Sequence, residues 1–377
     1  GKNIKVKGAI HTIRDMGEVA FIVLRRRDGL IQCVYEPGKS KFSVDDLKEA
    51  DTVEVCGTYK SDDRSPNGFE LRLDTITILS EPAEPMPLQI NKWKLNTSLE
   101  AKLNNRAVAL RNPRERATFR IQEGITRGFR DFLYNNGFTE IHTPKLGAKS
   151  AEGGANLFKL EYFHRPAILQ QSPQFYKQMA MAAGFERVFE VAPVFRAEKS
   201  HTSKHATEFT GLDLEFSYID SFRDVMKFEE DMITDMMEKI VPKYADDIKR
   251  LYGLDTVVPT KPFPVMSVAD IYRELEARYA APESEKGDLT TDAERMTYKL
   301  AQEMFGHEFL FVTDFAADKR PFYHMRRDGV PQGYDLIWRG VEITSGAQRE
   351  HRYAELCANA AEKGLGEDVK FYTEFFR

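Results

Sequence analysis

The chain has 377 residues, and at roughly 150 residues per domain this predicts two or three domains. Hydrophobic residues make up 42% and charged residues 30%, which excludes a disordered chain and leaves enough apolar material for a sizeable core. A net charge of -5, from 54 Lys and Arg against 59 Asp and Glu, excludes a polycation, so any nucleic-acid contact must use local patches.

Cys33, Cys56 and Cys357 are widely spaced and contain no Cys-x-x-Cys pair. They read as reduced thiols of a cytoplasmic protein, not as a disulfide framework or a zinc site. No apolar run approaches the ~18 residues that span a bilayer, so a membrane role is not expected. The sequence opens at Gly1 without a Met and is read as trimmed there.

Residues 1–80 alternate as short, half-buried strands: Ile4, Val6 and Ile10, then 19–24, 30–35, 52–59 and 69–79. Asp28-Gly29 supplies a hairpin turn, and a short helical stretch at 44–50 lies between the third and fourth strands. Five strands in this arrangement suit a Greek-key barrel of the OB type, here 1–82. Residues 83–100, which carry Pro85 and Pro87 with Pro82 just before them, read as a linker.

From 101 to 377 the period changes. A helix opens after Asn112-Pro113 and closes at Asn136-Gly137; another starts at Ser221 and runs through Met236. Further helices fit 268–279, 292–305 and 350–363, the last ending at Gly364. Strands fit 187–198, 208–219, 307–314 and 333–346. Grouped strands with helices packed on them predict an α+β fold, an antiparallel sheet flanked by helices.

Three clusters carry chemistry. In the hairpin 187–220, strand periodicity puts Arg196 and Glu198 on one face, and Phe209, Gly211, Asp213 and Glu215 on one face of the next strand. Singly each reads as packing or as an ion-paired sheet surface. Together they read as a floor for an anionic, planar ligand, with Arg clamping a phosphate and Phe209 stacking a base. His201 and His205, four apart in the loop, have no third ligand for zinc. The second cluster is a helix opened by Ser172-Pro173, with Gln171, Gln174 and Lys177 able to orient a zwitterion or simply to face solvent. The third places Asp335, Glu342 and Ser345 as hard oxygen ligands of the kind Mg²⁺ takes when shared with phosphates, and Arg349 as a fork for a carboxylate.

At these clusters the sequence resembles the class II aminoacyl-tRNA synthetases, and among them the aspartyl-tRNA synthetases of archaeal and eukaryotic type. The matching stretches are 151-AEGG-154, 171-QSPQFYKQ-178, 195-FRAE-198 with 205–215, and 342-EITSGAQR-349. The resemblance covers nearly the whole chain, barrel included. It implies ATP-dependent activation of L-aspartate to aspartyl-adenylate and transfer to tRNA(Asp), with tRNA(Asn) as a further acceptor left open. It also implies a homodimer built on the helix after Pro113 and the strand leading to Thr143-Pro144.

By that resemblance Arg196 binds the α-phosphate of ATP, Glu198 the adenine amino group, Phe209 the adenine face and His205 the phosphate tail; Asp335, Glu342 and Ser345 hold Mg²⁺. Lys177 and Arg349 pair with the side-chain carboxylate of aspartate, Glu152, Gln174 and Asp213 receive its ammonium, and Gln171 and Ser345 complete the pocket, over which 150–154 closes. The Ala-Gln-Arg at 347–349 matches the aspartyl pattern, from which asparaginyl relatives differ. In the barrel, Phe21 stacks an anticodon base, Gln32 hydrogen-bonds one, Arg14 and Glu70 lie nearby, and Arg25-Arg26-Arg27 offers charge to phosphates. A core position for Phe21 is the competing reading, and alternation does not decide between them.

The family's third motif, a Gly-Leu-Gly-x-Glu-Arg run opening a helix, is expected after 371-FYTEFFR-377 and is not in the sequence; 364-GLGED-368 reads as a C-cap turn. A trimmed segment is the expected reason. Two rivals compete with the ligase: a paralogue that adenylates aspartate to make asparagine, for which the barrel has no use, and a noncatalytic tRNA-binding or regulatory paralogue, against which Arg196, Glu342 and Arg349 argue.

Overall fold

The computed structural model describes residues 2–148, 157–198, 206–280 and 282–377. It divides into two compact units, Gly1–Ile121 with Asp247–Leu254, and Gln122–Asp246 with Asp255–Arg377.

In the first unit, strands Asn3–Asp15, Ala20–Arg26, Gly29–Tyr35, Thr52–Ser61 and Phe69–Ser80 close into a five-stranded barrel. Its core takes alternate residues, among them Val6, Ile10, Ile22, Leu24, Cys33, Val53, Val55 and Leu71, as the two-residue side-chain period of a strand requires. Burial of its thiol in this core pushes the Cys33 pKa up to about 12, which keeps it inert. The helical stretch at 44–50 is a single 3-10 turn, Val44–Asp46, capped by Ser43. Asn112, fully buried, donates to the carbonyls of Ile90 and Lys92, so the proline-bearing segment is pinned to the start of the helix Pro113–Asn135.

In the second unit the antiparallel hairpin Arg187–Phe195 and Glu208–Phe216 pairs with the short parallel strand Thr139–Glu140. A second sheet has the order Val265–Ser267, Phe309–Thr313, Gly333–Trp338, Val341–Ala347, antiparallel but for its first pair. The expected floor is thus present as two sheets, with Glu208–Phe216 and Val341–Ala347 each at an edge. The stretch 333–346 is two strands, not one: the chain turns at Arg339 and Gly340, both at positive φ.

The helix expected to run from Ser221 through Met236 extends over Phe222–Tyr252, with Pro242 inside it. Within the second unit it approaches the helix after Pro113 at two glycines. A methyl group on Gly124 would lie 2.5 Å from the Tyr244 ring, and one on Gly128 3.2 Å from Met236. Among the described residues, no helix is long and apolar enough to cross a membrane.

Candidate active site

A cavity of about 730 Å³ in the second unit is lined by Gln174, Lys177, Arg196, Asp213, Ser345 and Arg349, among others. Six residues from three separate stretches of sequence meet there. Helix Gln174–Ala182 supplies the first two; Pro173 stands at its N-cap and the Ser172 hydroxyl accepts from the Gln174 amide at 3.4 Å. Residues 174 and 177 are three apart and therefore share a helix face.

Lys177 Nζ donates to Asp213 Oδ1 at 3.0 Å and to the Leu214 carbonyl at 3.2 Å, and stands 3.6 Å from Glu215 Oε2. Arg349 Nε donates to Glu215 Oε1 at 3.1 Å and Nη2 to Gln174 Oε1 at 3.2 Å; Gln174 Nε2 donates to Glu215 Oε2 at 3.1 Å. Two cations and two carboxylates thus form one closed network around an amide. Burial opposes the Arg349 charge, but Glu215 and Tyr323 outweigh it, and its pKa lies above the ordinary value.

Glu215 holds this network together, and the sequence placed it only on a strand face with Asp213. His324 was missed altogether. It is buried, lines the cavity, and its Nδ1 has no hydrogen-bond partner. Burial first, then Arg349 and Arg320, push its pKa well below the ordinary value, so the ring is neutral.

Arg196 stands just past its strand with its guanidinium 5.2 Å from the Phe209 ring centre, and its buried Nε has no hydrogen-bond partner. Phe209 is 36% exposed, so its ring is no core residue. Glu198 is half-buried beside Arg196. Gln171 is buried ahead of the helix and does not line the cavity. Glu152, the 150–154 segment, His201 and His205 lie outside the described residues.

The proposed magnesium donors lie on one hairpin. Asp335 faces Ser345 across it, while Ile337 pairs with Glu342, so Ile343 is left over as a bulge. That extra residue puts Glu342 and Ser345, three apart, on the same face as Asp335; an unbroken strand would put them on opposite faces. The Asp335 carboxylate accepts two bonds from Arg320, at 2.8 and 2.6 Å. Burial raises its pKa, against the pull of Arg320. Among the described residues no group of three or more His, Cys, Asp or Glu is gathered as a metal cage. Two carboxylates and a hydroxyl on one face fit a cation that shares its ligands with phosphates, which is how Mg²⁺ is usually held.

Behind this hairpin lies a second missed residue. Glu229 is buried and accepts from the Tyr334 hydroxyl at 2.6 Å and from the Thr344 hydroxyl. It ties both strands to the long helix. Its signal was legible: Val225, Glu229, Met232 and Met236 follow helical spacing, a carboxylate on an apolar stripe.

On the barrel, Phe21 pairs with Arg14 on one side and Val34 on the other. Its neighbours Ile22 and Leu24 fill the core, which sends Phe21 and Gln32 to the outer face. Arg14 stands 5.8 Å from the Phe21 ring centre and donates to Gln32 Oε1 at 3.3 Å. Glu70 is buried and accepts from Arg72 at 3.1 and 2.9 Å.

Residues 98–377 match the family model described as tRNA synthetases class II (D, K and N), and residues 4–79 match that of the OB-fold nucleic acid binding domain. The chain belongs to the class II tRNA synthetases. This synthetase is 38% identical, over its whole length and 87% of the relative's, to the aspartate–tRNA(Asp/Asn) ligase of Aeropyrum pernix. To the aspartate–tRNA(Asp) ligase of Pyrococcus furiosus it is 35% identical with the same coverage. Its fold matches the crystal structure of a putative aspartyl-tRNA synthetase from Leishmania major with a TM-score of 0.86 at 28% identity, covering 100% of this chain and 84% of that one.

Proposed function

We propose that this synthetase is an aspartate–tRNA ligase that activates L-aspartate with ATP and charges tRNA(Asp). The observation that carries this reading is the meeting of Lys177 and Arg349 in one cavity, each held by a carboxylate of the same network. An aspartate entering there brings one ammonium and two carboxylates. Its side-chain carboxylate can share Lys177 and Arg349 with Asp213 and Glu215 while its ammonium joins Asp213 and Gln174, so that the added positive and negative charges offset one another. Asparagine has nearly the same shape but leaves two buried cations underpaired. A site built for polar groups rejects such a mismatch by ~10⁴ or more.

The chemistry asks for no enzyme nucleophile. The α-carboxylate of aspartate attacks the α-phosphorus of ATP, a new carboxyl–phosphorus bond forms, and pyrophosphate leaves with the electrons of the broken bond. The terminal ribose hydroxyl of tRNA then attacks the mixed anhydride, and AMP departs. Positioning two anions against each other and stabilising the developing charge supply most of the acceleration.

Arg196, with its unpartnered Nε, is the group for the α-phosphate, Phe209 for the adenine face and Glu198 for its amino group. Mg²⁺ would neutralise charge on the phosphates; Glu342, Ser345 and Asp335 are the residues to hold it. Glu152 and His205 keep the roles that the resemblance gives them. On the barrel, Phe21 and Gln32 read anticodon bases, with Arg14 and Glu70 setting the face.

The division into a barrel at 1–82, a linker at 83–100 and a catalytic part at 101–377, a homodimer through the region 113–144, and a cytoplasmic location complete the proposal. The test is charging with labelled aspartate. Transfer to purified tRNA(Asp) is expected; transfer to tRNA(Asn) as well would place the enzyme with relatives that use both. No charging of either tRNA in the presence of aspartate and ATP would contradict the reading.

A further inference from the structure

Glu229 belongs to the second unit and to the long helix Phe222–Tyr252, behind the hairpin of the oxygen donors. It is 7% exposed. Its Oε2 accepts from the Tyr334 hydroxyl at 2.6 Å and its Oε1 from the Thr344 hydroxyl. Each hydroxyl belongs to the residue next to a proposed magnesium donor, Tyr334 beside Asp335 on one strand and Thr344 beside Ser345 on the other. Successive side chains of a strand point to opposite faces, so Glu229 grips the hairpin from the face away from the donors and reaches them only through their neighbours.

Two features show what this grip does. Thr344 directly follows Ile343, the extra residue of the bulge. Were the bulge to pass Thr344, that side chain would turn to the donor face and Ser345 would lose its place opposite Asp335. The bond from Thr344 to Glu229 opposes that slip. Gly346 is paired with Tyr334, and a methyl group on it would lie 2.5 Å from Cζ of the Tyr334 ring. The bare glycine therefore lets the ring lie over the neighbouring strand and bring its hydroxyl to the same carboxylate. Packing alone does not explain the acid. Around it Val225, Met226 and Ile233 of the helix form an apolar cluster with Leu336, and a buried carboxylate among such side chains is costly where an apolar one would pack without that cost.

We propose that Glu229 is a positioning residue for the magnesium-bound nucleotide: through Tyr334 and Thr344 it holds Asp335 opposite Ser345, so that a cation shared with ATP meets both donors at once. The proposal rests on the ligase reading above and adds a residue that acts on the cation only through others. Groups that orient metal ligands from behind change metal affinity or activity about 10- to 100-fold when they are removed.

The test is calorimetric binding of ATP to the full chain, once with saturating Mg²⁺ and once with EDTA. The ratio of the two affinities measures what the cation adds. In Glu229→Leu the ratio should fall about tenfold or more, while the affinity for metal-free ATP persists. Tyr334→Phe and Thr344→Val each remove one hydroxyl, so each should lose part of the ratio even where Glu229→Leu does not fold. Glu229→Gln still offers the two hydroxyls one oxygen and one N–H, and should keep most of the ratio. An unchanged ratio in Glu229→Leu, or in both hydroxyl variants, would overturn the proposal. An equal fall in the affinity for metal-free ATP would do the same, because Glu229 would then support the cavity as a whole. A Gln variant as weak as the Leu variant would also overturn it, because charge and not the two bonds would then matter. Aspartate-dependent pyrophosphate exchange by the wild-type chain reports separately on the ligase reading.

Discussion

In the catalytic cavity the cations Lys177 and Arg349 each already have a carboxylate, Asp213 at 3.0 Å and Glu215 at 3.1 Å. In the first unit, Arg25 keeps a buried nitrogen with no partner, and Arg26 and Arg116 line a cleft wall with little acid against them. The contrast follows from what each would receive. A zwitterion with a second carboxylate exchanges partners with a balanced network, which makes selection sharp because one wrong charge unbalances it. A polyanion brings its own surplus, and an unbalanced wall draws it in over a distance of about a Debye length at low salt.

The largest expected effect falls on the balanced side. Arg349→Leu leaves Glu215 buried without its guanidinium and removes one grip on the substrate. Losses of this kind cost about 3–5 kcal/mol, so aspartate-dependent exchange should fall about a thousandfold while ATP binding, followed by calorimetry, persists. Loss of ATP binding alone would show that Arg349 serves the nucleotide.

On the barrel, Phe21→Ala should raise the KM for tRNA about five- to 150-fold in the charging reaction, since stacking on one aromatic ring contributes about 1–3 kcal/mol. An unaltered KM would mean that the ring packs the outer face and reads nothing.

A structural prediction sharpens the catalytic side further. A methyl group on Gly346 would lie 2.5 Å from Cζ of the buried Tyr334 ring. Gly346→Ala should therefore lower stability in urea by about 1–3 kcal/mol; full stability would show that the Tyr334–Glu229 anchor is loose.

The smallest effect is a pH dependence on the other side. Burial and then Arg25 lower the His11 pKa from 6.5 to about 4. Between those values the unfolded chain binds the proton and the folded one does not, so the associated stability is complete above pH 6.5 and is lost as pH falls toward 4. The melting temperature should drop across that interval, and His11→Gln should flatten part of the drop. An equal drop in the variant would assign it to other groups.

Much of this architecture was legible because it follows short periods. The alternation of Ile22, Leu24 and Cys33 defined the barrel, and Pro113 marked a helix start that the structure retains. What escaped reading lay across the chain or against local signals. The turn that splits 333–346 puts Arg339 at positive φ ahead of Gly340, so only half of the usual Asn-Gly signal was there to read. The Pro242 within the long helix hid its second half, although Ile240, Tyr244 and Leu251 continue the buried stripe. The pairing of Arg320 with Asp335 joins a loop to a strand and has no sequence period at all. Whether Phe21 faced inward or outward required the register, which places it opposite Arg14. The bulge at Ile343 had the same character: only the pairing of Ile337 with Glu342 puts the three oxygen donors on one face.

Amino-acid-dependent exchange of labelled pyrophosphate into ATP, run side by side with aspartate and asparagine, weighs the paired cations most directly. Aspartate should support exchange at least ~10⁴ times more efficiently in kcat/KM than asparagine. Comparable exchange with both, or a preference for the amide, would mean that Lys177 and Arg349 are satisfied by Asp213 and Glu215 alone and select nothing.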